Sequence, residues 1–222
     1  MKIFRTPFIL PWLYPSLLWR APGNEVDRGY NDAGYHCVDK DIYITFDDGP
    51  VPGNTDFVLR ALKEYNAPAT FFCIGDNIRK HPDVFRKVVD AGHSIGNHTF
   101  NHLNGWKTSD EQYVENVRLC QEQIRQHGAK ETKLFRPPYG RIKKSQIELL
   151  KNDYQIVMWD VLTYDYDETA RPHKLMYGAR RAIRAGSIVV FHDSEKAGVN
   201  VSQMLREFLD HCLWSGYIFK AL

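Results

Sequence analysis

The chain predicts a single α/β domain built on a parallel sheet, and three observations carry that expectation. From about Asp41 onward, short β-branched and aromatic runs alternate with longer stretches whose apolar residues recur at helical spacing. The punctuation suits the alternation, with Gly92 and Gly128 where helices should end and Pro82 where one should begin. At 222 residues the chain has the size of one domain with a large core, and it shows no internal repeat, low-complexity tract or interdomain linker.

The elements follow in order. Residues 1–39 are expected to form an N-terminal arm that packs on the domain, which occupies residues 40–222. The stretch Met1 to Trp19 is apolar enough to imitate a signal peptide, but Pro7, Pro11 and Pro15 interrupt any helical run and no small-x-small cleavage site precedes Arg20. It is also too short and too broken to span a bilayer. The expectation is therefore a cytoplasmic or membrane-peripheral protein without a transmembrane segment, the arm lying on its own domain or touching a membrane surface through Phe8, Trp12 and Trp19. Seven strands are expected: Ile42 to Phe46, Thr70 to Ile74, His93 to Gly96, Lys133 to Arg136, Gln155 to Trp159, Ser187 to His192 and Tyr217 to Lys220. Between them, Val58, Leu62 and Tyr65 share one helical face. Tyr113, Val117, Cys120 and Ile124 form a second stripe behind a Thr108-x-x-Glu111 capping box.

Composition narrows the function. Hydrophobic residues make up 43% and charged residues 25%, which excludes a disordered, coiled-coil or collagen-like chain. A net charge of +2, from 29 basic and 27 acidic residues, offers no field for nucleic acid, and no such partner is expected. Cys37, Cys73, Cys120 and Cys212 are far apart without a C-x-x-C pair and read as buried free thiols. The sequence sets no oligomeric state.

The polar residues that do not fit a core gather after the strands. Asp47 and Asp48 follow the first strand, His98 and His102 the third, Arg136 and Tyr139 the fourth, Asp165 the fifth, and His192 ends the sixth. The C-terminal rim of a parallel sheet is where sites are built, so residues distant in sequence should converge there. Spacing i, i+4 would project His98 and His102 from one side of a helical turn, as a pair of metal ligands requires. Two imidazoles and one carboxylate from the Asp47-Asp48-Gly49-Pro50 turn leave coordination positions open, which suits hydrolysis. Adjacent aspartates at a strand end point in different directions, so one can ligate while the other serves as a base. His192 could protonate a leaving amine, and Arg136 could orient a carboxylate through paired hydrogen bonds.

With these residues placed, the chain from about Lys40 to its C-terminus resembles the polysaccharide deacetylases of carbohydrate esterase family 4, the NodB-like group. Five segments carry the resemblance: Thr45-Phe-Asp-Asp-Gly-Pro50, His98-x-x-x-His102, Arg136-Pro-Pro-Tyr139, the Trp159 to Tyr166 segment and Val190-Phe-His192. The resemblance implies a distorted (β/α)7 barrel and metal-dependent removal of acetyl groups from N-acetylated sugars such as N-acetylglucosamine glycans or their precursors. It implies Asp48, His98 and His102 as ligands of a divalent metal, zinc foremost, with Co2+, Ni2+ or Mn2+ as alternatives. It further implies Asp47 as the base activating the attacking water and His192 as the acid, with Arg136 orienting Asp47 and Asp165 orienting His192, and the Tyr139 backbone N–H as a donor to the oxyanion. The chain departs from the family in Leu162-Thr-Tyr-Asp165-Tyr166, where Asp-x-x-Asp-Trp is usual, and in Val190, where leucine is usual. The chemistry is expected to persist and the sugar specificity to differ. An O-deacetylase of the acetylxylan-esterase kind and a catalytically silent carbohydrate-binding protein are the competing readings.

Overall fold

The computed structural model describes residues 2–21, 25–30, 36–130 and 132–222, with the backbone alone for 25–30 and 36–39. In chain order the elements are α1 (Ile9–Leu13), β1 (Glu25–Tyr30), β2 (His36–Asp47), α2 (Asn54–Glu64), β3 (Thr70–Cys73), α3 (Gly75–Lys80), α4 (Pro82–Asp90) and β4 (Ser94–Asn97). They continue with α5 (Asp110–Gln126), β5 (Leu134–Phe135), α6 (Lys144–Leu150), β6 (Gln155–Ile156), β7 (Val161–Leu162), α7 (Pro172–Ala182), β8 (Ile188–His192), α8 (Gly198–Trp214) and β9 (Tyr217–Lys220).

The strands pair in the order β6-β5-β4-β3-β2-β8-β7, a parallel sheet curled into an incomplete barrel with the helices outside. The middle of the sheet is mostly apolar, as strands covered on both faces tend to be. β3 is buried at every position, and Ile188 to Phe191 of β8 are likewise buried. The aromatic stack Phe71–Phe46–Phe191 packs at centroid spacings of 5.0 and 6.0 Å within the main core.

The path holds seven strands, but not the seven read from sequence. The expected strand Gln155 to Trp159 shortens to β6, and a separate strand, β7, forms at Val161–Leu162, so Asp165 follows β7. β9 lies off the path, pairing with the early part of β2 through Lys40 to Tyr43, and β1 adds an antiparallel partner to the start of β2. Two-residue strands leave almost no periodicity to read, and β1 and the start of β2 carry no long apolar run.

The curled sheet ends on two edges, β6 and β7, and the N-terminal arm occupies the seam between them. Leu18 bridges in parallel to Val157, and Arg5 bridges antiparallel to Val161. Leu18 N–H donates to Ile156 O at 2.9 Å and Met158 N–H to Leu18 O at 2.7 Å, while Thr6 N–H donates to Asp160 O at 2.8 Å and Leu162 N–H to Phe4 O at 2.9 Å. Both edges are thereby supplied with partners instead of being left as templates for aggregation. Leu17 and Trp19 are buried in a second core with Tyr113, Phe135 and Met158, whereas Phe8 and Trp12 are exposed.

The helices follow their sequence signals with one shift. Val58 and Leu62 of α2 and Tyr113, Val117, Cys120 and Ile124 of α5 are buried, and Gly92 and Gly128 take φ of 78° and 100° beyond their helices. α5 is capped by Ser109, whose hydroxyl accepts from Gln112 N–H at 3.3 Å, and not by Thr108. Thr108 Oγ1 instead donates to Asn104 O at 2.8 Å, closing the turn before the helix. Cys73, Cys120 and Cys212 are buried free thiols, and the side chain of Cys37 lies outside the described residues. No helix among the described residues is long and apolar enough to cross a membrane.

Candidate active site

The register of the three central strands brings the site together. Asp47, the last residue of β2, is paired with Phe72 on β3 and with His192 on β8. One residue later Asp48 takes φ of 79°, a left-handed conformation that turns its carboxylate away from that of Asp47. Asp193 locks this turn: its Oδ1 accepts from Gly49 N–H at 2.9 Å and its Oδ2 from the Thr55 hydroxyl at 2.6 Å. A Cβ on Gly49 would lie 2.0 Å from Asp193 Oδ2, so glycine is required by contact. Burial pushes the Asp193 carboxyl up to about 7, against the Thr55 hydroxyl, with the Asp48 charge adding to the rise. Sequence reading missed this role, although the placement of Asp193 directly after His192 was the available signal.

Asp47 is held by Arg136, which is fully buried. One guanidinium nitrogen, Nη1, donates to Asp47 Oδ1 at 2.6 Å and to Thr45 Oγ1 at 2.8 Å; Nη2 donates to Met158 O at 3.0 Å, and the plane lies 4.1 Å from the Phe72 ring centre. A buried charge needs a partner and satisfied donors, and Arg136 has both.

His98 and His102 meet, but not on a helix. They sit in the irregular loop after β4, where Thr99 and His102 take φ of 62° and 56°. The loop is anchored by Asn116 on α5, whose side-chain oxygen accepts from the N–H groups of Phe100 and Asn101 at 2.9 Å each. Spacing of four is therefore satisfied by loop geometry, with the two rings 5.1 Å apart. His98 Nδ1 lies 2.7 Å from Arg136 O. A carbonyl only accepts, so the ring proton is assigned to Nδ1 and Nε2 keeps its lone pair. That nitrogen is 3.5 Å from Asp48 Oδ1, and His102 Nε2 is 3.2 Å from the same oxygen.

Asp48, His98 and His102 thus offer three ligand atoms within 4.8 Å of one another. Burial pushes the Asp48 carboxyl up, yet the facing imidazoles of His102 and His98, with the charge of His192, hold it well below the usual carboxylate range. An ionised oxygen and two ring nitrogens turned toward one point suit a divalent cation. His102 Nδ1 is 3.1 Å from the Tyr139 hydroxyl, and Tyr139 itself takes φ of 59° in the turn after β5.

On the opposite side, Asp165 receives His192 twice, from the backbone N–H at 2.6 Å and from Nδ1 at 2.7 Å. Asn200 of α8 donates to the Asp165 and Asp167 carbonyls at 2.8 and 3.0 Å, fixing the loop that carries the aspartate. Burial alone would lower the His192 pKa, but Asp165, followed by Asp48 and Asp47, raises it to about 9. These groups face a cleft of about 910 Å³ whose walls include Trp159, Leu162, Tyr166 and Val190. Tyr166 meets the His192 ring edge-on at 5.1 Å.

Every residue singled out from sequence for the site is therefore at one rim, with Arg136 and Asp165 behind the groups that face the cleft. A curled parallel sheet with a two-histidine, one-carboxylate cluster, beside one aspartate and one histidine each held by a charged partner, defines a hydrolase equipped for a divalent metal. More particularly, the chain belongs to the polysaccharide deacetylase family, whose profile matches residues 36–156. It is 35% identical over 204 residues to a peptidoglycan-N-acetylglucosamine deacetylase of Bacillus cereus, an alignment spanning 90% of this chain and 88% of that protein. It is 36% identical over 156 residues to a chitooligosaccharide deacetylase of Azorhizobium caulinodans, covering 68% and 73% of the two chains. Its structure is similar to that of a peptidoglycan N-acetylglucosamine deacetylase crystallised with 4-naphthalen-1-yl-N-oxidanyl-benzamide, with a TM-score of 0.83, 27% identity and coverage of 98% and 95%.

Proposed function

We propose that this protein removes acetyl groups from N-acetylglucosamine-containing glycans or their precursors, releasing acetate. The observation that carries the reading is the opposition, across one cleft, of the Asp48–His98–His102 donor set and the His192–Asp165 pair. Similarity to N-acetylglucosamine deacetylases supports the acetamide as substrate.

A divalent ion held by Asp48, His98 and His102, with zinc the leading candidate, would supply Lewis acidity toward the acetamide oxygen and lower the pKa of water. Asp47, held in place by Arg136, accepts the proton of the attacking water. The Tyr139 backbone N–H donates to the oxyanion as the carbonyl carbon becomes tetrahedral. His192, charged through its contact with Asp165, gives its Nε2 proton to the sugar nitrogen as the C–N bond breaks, and acetate and the free amine depart. Val190, Leu162 and Trp159 supply apolar wall against which an acetyl methyl group can rest. The exposed Phe8, Ile9, Trp12 and Leu13 of the arm support a membrane-peripheral location.

Acetate release tests the reading. Metal-replete protein should deacetylate N-acetylglucosamine oligomers or peptidoglycan fragments, and silence on every N-acetylated and O-acetylated sugar would sink it. His192→Ala should depress amide cleavage far more than ester cleavage, because a leaving alcohol needs less protonation; equal losses would remove the acid role of His192.

A further inference from the structure

The chain is nearly balanced, at 29 basic and 27 acidic residues, but its charges are unevenly spread. Residues 1–21 carry Lys2, Arg5 and Arg20 and no acid, and residues 169–192 carry Arg171, Lys174, Arg180, Arg181 and Arg184 and no acid. The fold lays these two segments side by side. Arg5 Nε donates to Ala182 O at 2.8 Å at the end of α7, Arg20 bridges antiparallel to Ser187, and Ala21 N–H donates to Gly186 O at 3.0 Å. Phe4 fits against Gly178 of α7, where a Cβ would lie 2.3 Å from the Phe4 ring. At the start of α7, Lys2, Phe4, Arg171 and Lys174 line a hollow of about 460 Å³ that has no acidic residue in its wall.

Lys2, Arg180 and Arg184 are held by Asp167, Glu207 and Asp160. Arg20, Arg171, Lys174 and Arg181 are exposed and have no carboxylate partner among the described residues. The same two segments leave apolar side chains in water: Ile3, Phe8, Ile9, Trp12 and Leu13 of the arm and Tyr177 of α7, with Phe8 91% and Trp12 76% exposed. Unpaired cations beside exposed aromatic rings suit the interface of an anionic bilayer, where headgroups attract Lys and Arg and the rings settle at the acyl boundary. An apolar protein partner would leave the cations unanswered, and a polyanion in solution would leave the rings in water. We propose that the arm and α7 form a docking surface for a bilayer of anionic phospholipid. This rests on the membrane-peripheral reading of the arm and is independent of the acetyl chemistry.

The test is flotation of the whole chain with vesicles of phosphatidylcholine alone or with about one-third phosphatidylglycerol, at low and high salt. The protein should float with the anionic vesicles and be released as salt screens the headgroups. Arg171→Gln/Lys174→Gln should lower the partition coefficient by about tenfold or more, and Phe8→Ser/Trp12→Ser should do the same by removing the inserted rings. Neither pair should change thermal stability or acetate release from a soluble oligomer, because none of the four residues lines the cleft. Equal binding to both vesicle types would overturn the role of the cations, and binding to neither would overturn the surface as a whole. A dimer that Phe8→Ser/Trp12→Ser dissociates, without vesicle binding, would put a second copy of the chain in place of the bilayer. Acetate release by the unaltered protein, measured alongside, shows separately whether the deacetylase reading fails.

Discussion

Asp165→Asn isolates the part of the site that holds the proton. The exchange is isosteric, and the amide can still accept from the His192 backbone N–H, but it removes the charge now 2.7 Å from His192 Nδ1. Burial then acts on His192 with less opposition, and loss of an adjacent carboxylate lowers a histidine pKa by roughly one to three units. From about 9 in the unaltered protein, a fall of about two units takes His192 at pH 8 from about nine-tenths protonated to about one-tenth, an expected loss of roughly tenfold in amide hydrolysis. The loss should shrink toward pH 6, where both forms are charged. Stability shares the window: a raised histidine pKa stabilises the fold fully below 6.5, and that contribution is lost as pH rises toward 9. The variant should keep only a small part of this slope. Acetate release across pH 5 to 10, with NMR titration of His192 in metal-free protein, measures both. An alkaline limb of kcat unmoved by Asp165→Asn would refute the assignment of Asp165 as the group that charges His192.

Three further expectations rest on other contacts. Arg136→Met strands Asp47 in a buried site and should cost roughly 3–5 kcal/mol in urea unfolding, part of which Arg136→Met/Asp47→Asn should restore; a small loss in the single variant would mean that water replaces the guanidinium. Chelator should abolish acetate release and, where the ion had been present at a hundredfold its Kd, reduce unfolding free energy by about 2.7 kcal/mol; Asp48→Asn should show no such shift. Leu17→Ala should destabilise by roughly 2–5 kcal/mol, and deletion of residues 2–21 should yield aggregating protein because the β6 and β7 edges lose their partners; a soluble truncated form of full stability would show that the seam needs no cover.

Much of the site was legible because its chemistry is carried by residue type and strand-end position. Asp47, His192 and Arg136 end or follow apolar strands, and strand ends in a parallel sheet share one rim. The arrangement of His98 and His102 was not legible. Spacing suggested a helix, whereas left-handed residues and the Asn116 anchor create the approach, and those depend on α5 packing nearby. Asp193 was overlooked for a related reason: its partners Gly49 and Thr55 are 144 and 138 residues away.

Local pattern by itself determined the alternating α/β class, the buried faces of α2 and α5, and the set of polar groups available for chemistry, since apolar periodicity and side-chain type are properties of the chain. Tertiary structure decided the rest. It shortened the strand after Tyr154 to β6 and added β7 beyond it, drew the arm into the seam between them, and fixed which nitrogen of His98 faces Asp48. Each of these outcomes turns on hydrogen bonds between residues far apart in the chain, and only the closed fold brings such partners within reach.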